Sequence, residues 1–227
     1  MASLRLRKEC SEQHSKMVNM RCLLDKNVFT SAVTADDREF CGEFWGTVVI
    51  AGVLGGEVYF TEAGTGHDKH KRVIGVAVWF PPGRELYDSS EQQEKALGPM
   101  MARFGPDLQY WWGEDFLPKY ESFTGRVLGE GVKLKSWHLQ AIATDPDFQR
   151  QGVARAMIQI VKAKAARNRA LLCLEVEDEQ NLQIYKHIGW KVKEKSLTFK
   201  GLKGSFPMWV MVLEPPPKQS RGVCRIM

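Results

Sequence analysis

Residues 137–156 read Trp-His-Leu-Gln-Ala-Ile-Ala-Thr-Asp-Pro-Asp-Phe-Gln-Arg-Gln-Gly-Val-Ala-Arg-Ala, an apolar strand passing through a short turn into a helix whose first turn is small and basic. This junction commits the second half of the chain to strands alternating with helices, and it forms a socket for phosphate. Backbone N–H groups at a helix start have no intrahelical partner, the helix dipole is positive there, and the nearby Arg150 and Arg155 add charge. Gly152 and Ala154 keep side-chain bulk away from an approaching diphosphate.

The periodicities around the junction predict the remaining elements. Leu4–Lys8 alternates as a short strand, and Ser11-Glu12-Gln13 opens a helix carrying Met17, Met20, Leu23 and Leu24. A second helix is expected from about Asp36 to Leu54, ended by Gly55-Gly56. Strands follow at 57–61 and 72–80, the latter nearly continuously apolar and therefore central in a sheet. The loop between them holds His67 and His70, which lack further ligands for a metal. Residues 84–133 read as a helical insertion broken at Gly105-Pro106 and Leu117-Pro118, rich in aromatics from Tyr110 to Phe123 that pack it onto the sheet or close it over a pocket as a lid. The rest is expected as strand 136–144, helix 150–167, strand 170–176, helix 180–187 and strands 190–199 and 206–213. Val153, Met157, Ile160 and Val161 lie on the buried face of the long helix. The fold class is α/β, a mixed sheet flanked by helices, in one domain over 1–214 with a tail at 215–227.

Composition narrows the function. A chain of 227 residues, 44% hydrophobic, buries a substantial core. The net charge of +5 is spread among interleaved acids and bases, the pattern of a solvated surface, so no nucleic-acid partner is expected. A nucleic-acid reading built on Arg150, Arg155 and the aromatics predicts strongly salt-dependent affinity for oligonucleotides. Five cysteines, at 10, 22, 41, 173 and 224, give neither zinc spacing nor an even count for disulfides, and point to a reducing compartment. No signal peptide or membrane-spanning run is visible, so the protein is expected in the cytoplasm, with the nucleus also open. The last four residues, Cys224-Arg225-Ile226-Met227, fit a loose prenylation pattern, although Arg225 is not aliphatic. Farnesylation of Cys224 would give weak, reversible membrane association and a lipid-anchored fraction.

The block Gln149-Arg150-Gln151-Gly152-Val153-Ala154, with Asp145-Pro146 before it and Asn181 and Tyr185-Lys186-His187-Ile188-Gly189-Trp190 after it, resembles the ordered motifs of the GNAT superfamily of acyl-CoA N-acyltransferases. Trp190 stands where that family's last motif has Phe. Within the superfamily, Val78-Trp79-Phe80-Pro81-Pro82-Gly83, Trp137-His138-Leu139 and Leu174-Glu175 are similar to the branch that includes puromycin N-acetyltransferase.

The resemblance implies a centrally splayed sheet and acetyl-CoA as co-substrate, with no metal. It implies that Ile142, Ala143 and Thr144 hold the pantetheine arm through their backbone. Arg150, Gln151, Gly152, Val153, Ala154 and Arg155 would wrap the diphosphate, and Asn181 and Tyr185 would contact the cofactor further along. The implied reaction is direct attack by a primary amine, on a small molecule or a peptide, in a ternary complex.

Removing a proton from a lysine-like amine at pH 7 costs about 4.6 kcal/mol, whereas a thiolate at that pH regains its proton downhill by about 2 kcal/mol, so the base matters more than the acid. Tyr185 is the expected proton donor to the thiolate, a backbone N–H of strand 136–144 the oxyanion donor, and Glu175 the expected base, directly or through water. His138 is the rival base, and a hydrogen-bonded core histidine is its structural alternative. His187 reads as a helix-end residue beside the dipole's negative pole. A non-catalytic acyl-CoA sensor is the alternative function, expected to bind coenzyme A without turning over amines. The oligomeric state is left open by the sequence.

Overall fold

The computed structural model describes residues 5–7, through their backbone, together with residues 28–64 and 72–215. The helix expected after Ser11, the loop with His67 and His70, and the tail bearing Cys224 lie outside the described residues. Strand β1 (Arg5–Arg7) is followed by a short helix α1 (Val28–Val33) and then by α2 (Arg38–Gly55). Asp37 caps α2, its carboxylate accepting from the N–H groups of Glu39 and Phe40 at 3.0 Å. A β-carbon on Gly52 would stand 2.5 Å from Cγ1 of Val78, so the missing side chain lets α2 lie directly on the sheet.

Strands β2 (Glu57–Ala63) and β3 (Arg72–Phe80) pair antiparallel, as the sequence predicts. Val76, Val78 and Phe80 of β3 pack with Val48 and Ala51 of α2, while Ala77 and Trp79 pack on the opposite face. An apolar layer on each side explains why this strand shows no alternation.

The sheet order is β1-β2-β3-β4-β5-β8-β6, with β4 (Trp137–Thr144), β5 (Leu172–Val176), β6 (Lys191–Val192) and β8 (Ser205–Leu213). A further strand, β7 (Leu197–Lys200), pairs with β8. Among the described residues every pairing is antiparallel except β4 with β5.

Helix α5 (Val153–Asn168) crosses one face, burying Val153, Met157, Ile158, Val161 and Ala165. Ile158 thus takes the fully buried place that the sequence gives to Ile160, which is only partly buried. The helix begins at Val153 and not at residue 150, because Arg150 (φ 58°) and Gly152 (φ 82°) are left-handed and cannot continue a right-handed turn. The strand expected over 190–199 is interrupted. β6 pairs with Met211 and Val212, β7 with residues 205–208, and exposed residues 193–196 step from one stretch of β8 to the other.

The insertion folds as two helical runs, α3 (90–101) and α4 (106–128), separated by Ala102–Gly105. Pro118 does not break α4. A π-helical stretch, Trp111–Phe116, precedes it, and the Leu117 N–H reaches the carbonyl of Trp112, so the wider turn accommodates the proline. The insertion is bonded to the body of the protein. The Trp111 indole donates to the carbonyl of Lys200 at 2.6 Å, that of Trp112 to the carbonyl of Val33 at 3.0 Å, and Lys119 Nζ to the carbonyl of Thr198 at 2.7 Å. Phe104, Trp111, Trp112, Phe116 and Phe123 are buried in one aromatic cluster with Phe199 and Phe206, so this segment is a wall of the core and not a lid.

Candidate active site

Strands β4 and β5 pair at two positions only, Trp137 with Leu172 and His138 with Cys173. On its other side β4 stays paired with β3 as far as Thr144. Gln140 is an extra residue in that ladder, because the register steps from Trp79–Leu139 to Val78–Ala141. Such a bulge increases the local twist and turns the strand away from its neighbour. From Leu139 onward, one edge of β4 therefore has no strand partner among the described residues. Ile142, Ala143 and Thr144 lie on this open edge, and Oγ1 of Thr144 is buried without a hydrogen-bond partner.

The same wedge contains the start of α5. Gly152 occupies the cap position with no side-chain hydrogen bond to the helix, and a β-carbon there would meet nothing within 4 Å. The glycine therefore serves the backbone angle, and the space beside it is free. Asp145, in the turn leading here, accepts from the Asp147 N–H at 3.1 Å and is ion-paired to Arg72. Arg150, Gln151 and Arg155 are exposed, and no ion pair among the described residues engages either arginine. The side chain of Val153 is buried in the core, which leaves its backbone as its only contribution to the site. Ala154 is half-buried.

Helix α6 (Glu179–His187) follows β5 and packs against β5 and β6. Asp178 caps it, accepting from the Asn181 N–H at 2.8 Å, and the Asn181 amide also bonds this carboxylate. Tyr185 lies edge-on to Trp190, with ring centroids 5.9 Å apart. Burial, then the nearby Glu177 and Asp178, push its phenol above the ordinary value, so it is protonated across the physiological range. His187 is exposed in the last turn of α6.

At the point where the strands part, on the face away from α5, His138 Nε2 is 2.6 Å from Oε2 of Glu175. The two side chains are 3% and 7% exposed, so this is a buried pair and not the solvated strand-end carboxylate that the local cluster of acids suggests. Burial alone would raise the Glu175 pKa, but His138, Lys133 and Tyr120 together hold it well below the usual carboxylate range. A carboxylate held that low is a weak proton acceptor by itself. Its second oxygen, Oε1, is buried without a hydrogen-bond partner.

Two residues along, burial and the neighbouring Glu175 and Asp178 push Glu177 up to about 8. Tyr120 and Lys133 carry no local signal marking them as neighbours of Glu175, since they reach it from the insertion and the loop after it. Glu177 is visible in retrospect as the next member of the alternating series Cys173, Glu175, Glu177.

A mixed sheet that opens between a parallel pair, over a helix start left free for an anion, is the fold of the GNAT acetyltransferases. A family profile described as "Acetyltransferase (GNAT) domain" matches residues 118–210. Among solved structures, arylalkylamine N-acetyltransferase 2 from Aedes aegypti aligns with a TM-score of 0.60 and 11% identity, over 94% of this chain and 100% of that one. A Corynebacterium glutamicum protein described as histone acetyltransferase HPA2 and related acetyltransferase gives 0.57 and 16%, over 96% and 99%. The polyamine N-acetyltransferase of Drosophila melanogaster gives 0.53 and 13%, over 93% and 100%. No curated protein sequence matches the chain. These likenesses are of fold, and they single out no branch of the superfamily. Among the described residues there is no cluster of three or more potential metal ligands, and no helix is long and apolar enough to cross a membrane.

Proposed function

We propose that this chain transfers an acetyl group from acetyl-CoA to a primary amine by direct attack in a ternary complex. The observation that carries the reading is the separation of β4 from β5 immediately past the His138–Cys173 pair. It leaves an unpaired strand edge and an uncapped helix start on one side, and a buried imidazole–carboxylate pair at its apex.

The residues present fit the co-substrate. The free edge at Ile142, Ala143 and Thr144, with the orphaned Thr144 hydroxyl, offers hydrogen-bonding groups to an amide-bearing arm. The N–H groups of residues 152–155 and the charges of Arg150 and Arg155 suit a diphosphate, with Gln151 beside them. Asn181 and Tyr185 of α6 would contact the arm further along. When bound, acetyl-CoA supplies the activated acyl group; the chain binds, orients and moves protons. His138 takes the proton from the amine, directly or through a water, and Glu175 fixes the imidazole tautomer and stabilises its charged form. Tyr185, kept protonated by burial, donates to the departing thiolate.

The Aedes and Drosophila proteins are described as acting on arylalkylamines and polyamines, which makes small amines the first acceptors to test. The puromycin-type branch and farnesylation of Cys224 rest on the sequence alone. The decisive experiment is a thiol-release assay with acetyl-CoA and an amine panel, alongside calorimetry with coenzyme A. Glu175→Gln and Tyr185→Phe should each lower kcat at least tenfold while leaving coenzyme A affinity within about threefold. Binding without turnover of any amine would replace the enzyme with an acyl-CoA sensor. An unaltered rate for Tyr185→Phe would remove that residue from the proton path.

A further inference from the structure

We propose that Tyr120 and Lys133, contributed by the insertion and the loop that follows it, are positioning residues for the His138–Glu175 pair. The inference deepens the acetyltransferase reading and rests on it. Lys133 Nζ lies 2.6 Å from the Tyr120 hydroxyl and 4.7 Å from the centre of its ring. An ammonium group can only donate, so the phenol oxygen accepts from Lys133, and its own O–H is left to point elsewhere. Tyr120 packs against the aromatic cluster that includes Val210, and Val210 is the direct cross-strand partner of Glu175, so the phenol and the carboxylate share one face of the sheet. The carboxylate is 7% exposed, bonded through Oε2 to His138, and unpartnered at Oε1.

A buried anion with one bare oxygen is costly unless positive charge or a donor stands near it. The Tyr120–Lys133 pair, a phenol O–H beside an ammonium, meets this need from the insertion and the loop after it. Tyr120 is held in turn by stacking on Phe116, at a centroid distance of 5.8 Å. The Lys133 loop is tied down by Gly83, whose N–H donates to the carbonyl of Leu134 at 2.7 Å, and by Ser136, whose hydroxyl donates to the carbonyl of Val132. Besides His138, the ionisable groups acting on Glu175 are Tyr120 from α4 and Lys133 from the loop; Cys173 acts with Glu175 on Tyr120, and Glu177, past the end of β5, is acted on by Glu175 in turn. Lys133 is the one cation among these partners, and it favours the ionised form of Glu175.

The test is the pH dependence of kcat/KM for the full chain with its best amine. Deleting the Lys133 charge makes protonation of the nearby pair easier, so the acidic limb of the profile moves to higher pH in Lys133→Met, by about one unit. Lys133→Arg restores the wild-type limb. Tyr120→Phe lowers kcat several-fold with KM for acetyl-CoA unchanged, because the co-substrate wall of the wedge is untouched. Circular dichroism and melting temperature establish that each variant is folded. If Lys133→Met fails to fold, Lys133→Gln is measured in its place. An active wild-type enzyme whose limb stays put in the charge-deleting variant, or moves equally in Lys133→Arg, overturns the positioning role alone. A folded wild type that turns over no amine overturns the underlying reading and this role with it.

Discussion

Glu175, in β5, and Glu177, just past its end, are two residues apart, yet the surroundings drive their protons in opposite directions. Glu175 has an imidazole at 2.6 Å and a lysine nearby, and is held as an anion. Glu177 has only burial and other carboxylates, and its pKa rises from 4.5 to about 8. A carboxyl whose folded pKa is raised contributes stability that is full below about pH 4.5 and is lost as pH climbs through 8. Glu177→Gln imitates the neutral form at every pH. Chemical denaturation should therefore find variant and wild type nearly equal at pH 5, with the variant more stable at pH 9 by about 2–4 kcal/mol. A difference that does not change with pH would contradict a buried neutral carboxyl. The sequence could name Glu175 and His138 separately as candidate bases. It could not join them, because their contact depends on the His138–Cys173 rung, a register set by residues far apart in the chain.

Among the elements, the start of α5 carries the most function for its length. Its glycine is left-handed at φ 82° with open space where a β-carbon would go. Gly152→Ala should cost about 1–2 kcal/mol of stability through backbone strain. It should also raise KM for acetyl-CoA at least tenfold, because the new methyl would occupy the approach to the helix N–H groups. Steady-state kinetics would discard the phosphate role if KM stayed the same while stability fell.

The elements the sequence made legible are those with one dominant local signal. These are the apolar run of β3, the Asp-capped α2 and the glycine before α5. The misplaced ones have competing signals. Residues 190–199 have strand-like ends, but Lys193, Glu194 and Lys195 between them are exposed, and Glu194 pairs with Arg126 at 2.5 Å, so the chain leaves the sheet midway. Pro118 looks like a helix breaker until the π-helical turn before it is known, and no residue pattern in Trp111–Phe116 announces that turn.

For the whole molecule, the bonding of the insertion decides how it unfolds. Trp112 is buried in the aromatic cluster and donates to the carbonyl of Val33, so α4 and α1 share one core. Trp112→Ala should destabilise the entire domain by about 3–5 kcal/mol. The loss should appear as one cooperative transition, with far-ultraviolet and near-ultraviolet circular dichroism melting together. An early separate melting of α3 and α4 would show instead that the segment is an independent flap.

The two rungs between β4 and β5 have a mechanical consequence. Among the described residues they are the only ladder stitching β1–β4 to β5–β8, so the sheet is two panels joined at a seam two residues long. Load applied across the panels concentrates at Trp137–Leu172, and cracking starts there. Any molecule lodged between the panels works as a suture, closing the tear before it can spread.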